Sequence, residues 1–78
     1  MTPAQCRAAR ALLGWTQDDL AAKAEVSGPT IRSFEGERGN PRPSTITLMR
    51  RALETGGVEF TSDGGVRPRE QPAEAPTP

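Results

Sequence analysis

Three residues, Glu25, Val26 and Ser27, are all that separate two short amphipathic segments, and this junction restricts the fold more than any other feature of the chain. The segment before it opens at Thr16, with Asp19 three residues on as the second half of a capping box, and carries Leu20, Ala21 and Ala24 as its apolar stripe. The segment after it takes Ser27 as N-cap, turns Ile31 and Phe34 inward, and ends at Gly36. Trp15 and Val26 precede these two caps and are placed to staple onto Leu20 and Ile31. A link this short cannot lay the second helix antiparallel along the first, so the pair must cross steeply. The inward set pins that crossing. It leaves Pro29, Arg32 and Ser33 facing outward, with Gly28 and Thr30 at the margins. This face has one charge and no large apolar side chain apart from the proline ring.

Two further helices flank the corner. Thr2 as N-cap, Pro3 at the first helical position and Gln5 as the third residue after the cap predict a helix that buries Cys6, Ala9 and Leu13 and stops at Gly14. A polar, turn-rich loop spans 36–43, and a last helix is expected from near Ser44 to Thr55, stopped by Gly56 and Gly57. Its apolar residues Ile46, Leu48, Met49, Ala52 and Leu53 spread over about 160° at helical spacing, wide enough for two surfaces. After Gly57 the period changes to two. Val58 and Phe60 alternate with Glu59 and Thr61, turn residues follow at 62–65, and Val66 and Arg67 complete a short hairpin. So small a hairpin must pack on the helices or pair with another chain. Residues 68–78 are Pro-rich with little to bury and are expected to be a disordered tail. The expected organisation is therefore an all-α domain of four helices over 1–55, a hairpin over 56–67 and a tail over 68–78.

Composition narrows the function. With 78 residues, no His and a single Cys, the chain has no intramolecular disulfide, no Cys/His zinc site and no triad needing imidazole. No apolar run is long enough to span a membrane, and the first residues lack a basic-then-apolar leader pattern. A cytoplasmic binding module is expected, without cofactor or metal. The net charge of zero divides unevenly: residues 1–55 hold eight basic against six acidic side chains, and 56–78 hold two against four. The basic surplus of two thus accompanies the folded part, which is compatible with contact with nucleic acid.

Thr16-Gln17-Asp18-Asp19-Leu20-Ala21, then Val26-Ser27, Thr30-Ile31, Phe34-Glu35-Gly36 and Pro43-Ser44, form an ordered series over roughly residues 3–55. In this series the chain resembles the phage-repressor and Cro type of helix-turn-helix regulators (lambda repressor-like, XRE family). The resemblance implies a double-stranded DNA partner and a small transcriptional regulator, acting as a repressor and as a homodimer on a two-fold operator. It implies that Thr16 and Gln17 open the helix that holds a phosphate, and that the recognition helix covers 28–35. Ser27, Gly28, Pro29, Thr30, Arg32 and Ser33 then face bases or the adjoining backbone, with Arg32 suited to a guanine edge and Thr30 and Ser33 to hydroxyl contacts. Arg38, Asn40 and Arg42 would lie along the sugar-phosphate backbone. The segment 57–67 and the exposed part of the last helix are the expected dimer surfaces. Arg10, on the inward side of the first helix, is expected to pair with Glu35.

Several features depart from the family pattern or have plainer explanations. Gly28 and Pro29 stand where many relatives carry long polar side chains, which implies fewer direct base hydrogen bonds and more reliance on Arg32, Ser33 and DNA shape. Glu25 replaces the usual turn glycine, so a positive φ there would strain the backbone by about 1 kcal/mol. Asp18 and Asp19 complement the helix dipole and need no catalytic role. Two other functions fit the same fold: an antitoxin whose hairpin and tail grasp a toxin protein, or an interaction adaptor without DNA affinity.

Overall fold

Reciprocal capping sets where the first two helices begin. In the computed structural model, which describes residues 1–69, Thr2 Oγ1 accepts the Gln5 amide at 3.1 Å while Gln5 Oε1 accepts the Thr2 amide at 2.8 Å. This box opens α1, Pro3–Leu13, and Gly14 closes it in the left-handed conformation at φ 69°. The Thr16–Asp19 box, both bonds 2.9 Å, opens α2, Gln17–Ala24. Ser27 Oγ caps α3, Gly28–Glu35, by accepting the Thr30 amide at 3.2 Å. The chain continues through α4, Pro43–Gly56, into β1, Val58–Phe60, and β2, Val66–Pro68.

Two limits of α4 differ from the sequence expectation. The helix begins one residue early, at Pro43, with Arg42 as an N-cap that makes no side-chain bond. Proline suits the first turn because its missing amide hydrogen would have had no helical partner there. The helix also runs through Gly56 to a cap at Gly57, where φ is 121°. Gly56 stays helical for a packing reason: a Cβ there would lie 2.6 Å from two ring carbons of Trp15 and 3.0 Å from Leu13 Cδ1. The small residue is a contact for the tryptophan rather than a stop.

The core joins all four helices and one strand. Cys6, Leu20, Ile31, Met49, Leu53 and Val58 are fully enclosed, with Ala9 and Phe34 among them. Leu13 and Trp15 pack at its edge, half-buried. The wide apolar arc of α4 divides in two: Met49 and Leu53 turn inward, while Leu48 is 45% exposed. Leu48 borders a groove of about 550 Å³ between α2 and α4 that also touches Trp15 and Ala52.

β1 and β2 pair antiparallel in the register Val58↔Pro68, Glu59↔Arg67 and Phe60↔Val66. The pair rests on α1 and α4, with Val58 buried and Gln5 Nε2 donating to the Gly65 carbonyl at 3.2 Å. Pro68 therefore belongs to the hairpin, and the Arg69 amide donates to the Gly57 carbonyl at 2.8 Å, so the order expected to end at 67 extends to 69. Proline is tolerated at the end of an edge strand, where no ladder donor is needed. The rest of the expected tail, 70–78, lies outside the described residues.

Candidate nucleic-acid interface

The corner between α2 and α3 depends on one strained residue. Glu25 adopts the left-handed conformation, φ 59° and ψ 42°, as the C-cap of α2, and its amide donates to the Ala21 carbonyl. The Val26 amide donates to the same carbonyl at 3.0 Å. The chain thus reverses within a single turn and reaches Ser27 ready to cap α3. A non-glycine residue here costs about 1 kcal/mol, which the enclosed Leu20, Ala24 and Ile31 offset. Glu37, at φ 58°, repeats the conformation just beyond α3, a feature no local sequence signal marks.

The roll of α3 about its axis is set from behind, at Glu35. Arg10 grips its carboxylate with two bonds, Nε to Oε2 at 2.6 Å and Nη2 to Oε1 at 2.7 Å, as the sequence suggested. Gln17 Nε2 adds a bond to Oε1 at 3.0 Å, and the Cys6 thiol donates to Oε2 at 3.1 Å. Arg10 also donates to the Trp15 carbonyl at 2.9 Å, and Arg7 donates to the Glu35 carbonyl. The Glu35 side chain is 3% exposed, and burial by itself would push its carboxyl up. The bonds from Arg10, Gln17 and Cys6, with the Arg10 charge, outweigh burial and hold it below the usual carboxylate range. Burial, followed by the bond to Glu35, pushes the Cys6 thiol well above its ordinary value, so it is an inert donor. Every buried side-chain polar atom among the described residues has a partner. The Arg7 and Gln17 links were not legible in the sequence, since each depends on how two separate helices meet.

With Glu35, Ile31 and Phe34 committed to the interior, the opposite side of α3 lies open. Pro29, Arg32 and Ser33 are exposed, and Gly28 and Thr30 are half-buried at its edges. Thr30 Oγ1 and Ser27 Oγ lie 2.7 Å apart and share a hydrogen bond. Two shallow concavities adjoin the open face. One, of about 310 Å³, brings Arg38 and Asn40 beside Pro29, Thr30 and Ser33. The other, of about 380 Å³, places Gln17 and Arg38 beside Pro29, Arg32 and Ser33. Arg42, the N-cap of α4, borders neither. Thr16 is exposed at the end of α2 and uses its hydroxyl for the capping box. Arg32 does not stand free: its Nη1 is 3.8 Å from Asp18 Oδ1, an ion pair with both partners largely exposed. The hairpin packs on α1 and α4, on other sides of the molecule.

A family model described as helix-turn-helix matches residues 7–60, a stretch from α1 to the end of β1. The chain belongs to the helix-turn-helix family of the phage-repressor and Cro type. No curated protein matches it. As a helix-turn-helix regulator, this is a DNA-binding protein in which α2 and α3 are the two helices of the motif. Among the described residues of the regulator no group of three or more His, Cys, Asp or Glu could hold a metal ion, and no helix is long and apolar enough to cross a membrane.

Proposed function

We propose that this regulator binds double-stranded DNA with a sequence preference, represses transcription, and acts as a homodimer on a two-fold operator in the cytoplasm. The observation that carries the reading is the open outer face of α3, bordered by Arg38 and Asn40 and uncovered by the hairpin. A helix with small side chains on its outer face fits a major groove about 12 Å wide. In this reading Arg32 contacts a guanine edge, and Ser33 and Thr30 offer hydroxyls to neighbouring bases. Ser27, Gly28 and Pro29 let the first turn of α3 approach the duplex closely. Thr16 and Gln17 present the α2 amides to a phosphate, and Gln17 keeps a second Nε2 hydrogen beyond the one it donates to Glu35. Arg38, Asn40 and Arg42 hold the backbone and set the register.

Selection of bound fragments from random duplex DNA tests this directly. The expected product is a recurring two-fold sequence with half-sites about one helical turn apart. Affinity should fall steeply with salt as counterions are displaced from phosphates. Failure to retain DNA even at low salt would overturn the reading. A monomeric sedimentation profile at tens of micromolar, with and without DNA, would remove the dimer from it.

A further inference from the structure

We propose that Asp18 is a positioning residue for Arg32, and that Gly28 is the seat across which the two meet; the inference rests on the DNA-binding reading above. Arg32 Nη1 and Asp18 Oδ1 lie 3.8 Å apart, and the space between them lies over the first residue of α3. A Cβ built on Gly28 would stand 3.2 Å from Arg32 Nη1 and 3.3 Å from Asp18 Oδ1, tighter than ordinary van der Waals contact with both. The missing side chain leaves room for the guanidinium to fold back along α3 toward its N-terminus at this distance; a Cβ would push both charged ends outward by a few tenths of an ångström. Gly28 has no left-handed backbone to explain it, and the same missing Cβ that admits a close duplex leaves this space open to the pair.

Asp18 complements the dipole of α2 from its first turn but makes no capping bond there. Asp19, one residue on, already fills the capping position of α2, and the Asp18 side chain is 86% exposed. A carboxylate at the end of α2 that faces the duplex repels phosphate, and Arg32 is the cation within its reach. Asp18 thus draws Arg32 over the first turn of α3, the part of a recognition helix that meets base edges. The long side chain enters the groove with its direction already set. The blank Gly28 position, which loses one base hydrogen bond, is used to aim another.

The test compares the wild type with Asp18→Asn, Gly28→Ala, Asp18→Glu and Arg32→Ala, on the selected operator and on its single-base variants. Asp18→Asn and Gly28→Ala should each lower discrimination at the base pair read by Arg32 by about two- to fivefold, the range open to an exposed ion pair. Asp18→Glu, which keeps the carboxylate, should keep most of the discrimination. Asp18→Asn added to Arg32→Ala should cause no further loss at that base pair. The thermal midpoint of Gly28→Ala is measured alongside, and lost discrimination at an unchanged midpoint is separated from unfolding. The proposal is overturned if Asp18→Asn strengthens binding equally on every sequence with base preference intact, since Asp18 would then act on phosphate alone. It also falls if Arg32→Ala alters discrimination and Gly28→Ala does not. A wild-type protein that retains no DNA would instead remove the DNA-binding reading, and this inference with it.

Discussion

The two sides of α3 are built on opposite physical terms. Inward, Ile31, Phe34 and Glu35 are sealed, and the Glu35 carboxylate meets an arginine fork, an amide and a thiol within 3.1 Å. Outward, Pro29, Arg32 and Ser33 have no packing partner to hold them, and the single ion pair is 3.8 Å long and exposed. The inner side is therefore where substitutions act on stability, and the outer side is where they act on recognition. A buried charge stripped of its partner is costly, whereas an exposed pair contributes between about 0 and 1 kcal/mol.

The largest effect is expected at Glu35→Ala. It leaves the Arg10 guanidinium, 18% exposed, without its carboxylate, and should cost about 3–5 kcal/mol in urea unfolding. For a domain of this size that approaches the whole stability, on the order of 5 kcal/mol. Retained stability would break the distinction between the two sides. Acid offers a graded version of the same experiment. The Glu35 carboxyl is held below its ordinary value in the folded protein, so the unfolded chain binds more protons as the pH falls. This share of stability is complete at neutral pH and is lost as the pH drops through the ordinary glutamate range to the folded value. Urea midpoints measured from neutral to acid should show the decline. A double variant with apolar replacements, Arg10→Met with Glu35→Leu, should flatten it.

On the outer side, Arg32→Ala should weaken operator binding by about 1–3 kcal/mol and relax preference at one base pair. Its unfolding midpoint should stay within about 0.5 kcal/mol of wild type. Gln17→Ala sharpens the comparison because Gln17 belongs to both sides, donating to Glu35 and bordering the concavity beside Arg32. Its expected loss is about 1 kcal/mol of stability together with a similar, sequence-independent loss of DNA affinity. Selective damage to one base pair by Gln17→Ala would reassign it from backbone to base contact.

The legible parts were those that local chemistry controls. Thr2, Thr16 and Ser27 announce three helix starts, because an N-cap hydroxyl reaches an amide of the first turn that has no helical partner. The three-residue link foretold the corner, and with it which residues of α3 look outward. Arg10 with Glu35 was legible through family resemblance. Less was visible where two distant segments meet. The role of Gly56 depends on where the Trp15 ring comes to rest, and the strand at Pro68 depends on β1 lying against α1 and α4. The Asp18–Arg32 approach across Gly28 is of the same kind, since it joins two helices through an empty position.

By itself, then, the order of residues determined the starts and side-chain caps of three helices and the steep corner, which rest on neighbours within a turn or two of chain. It also determined the membership in a helix-turn-helix family, which rests on an ordered series along most of the chain. Tertiary structure alone decided which side chains hold α3 at its roll from behind and what surrounds its outer face. That roll is fixed by Arg7, Arg10, Gln17 and Cys6 converging on one residue from two other helices. Side chains that far apart in the chain meet only after the backbone has folded, so apart from Arg10, which the resemblance already paired with Glu35, no local pattern could announce them.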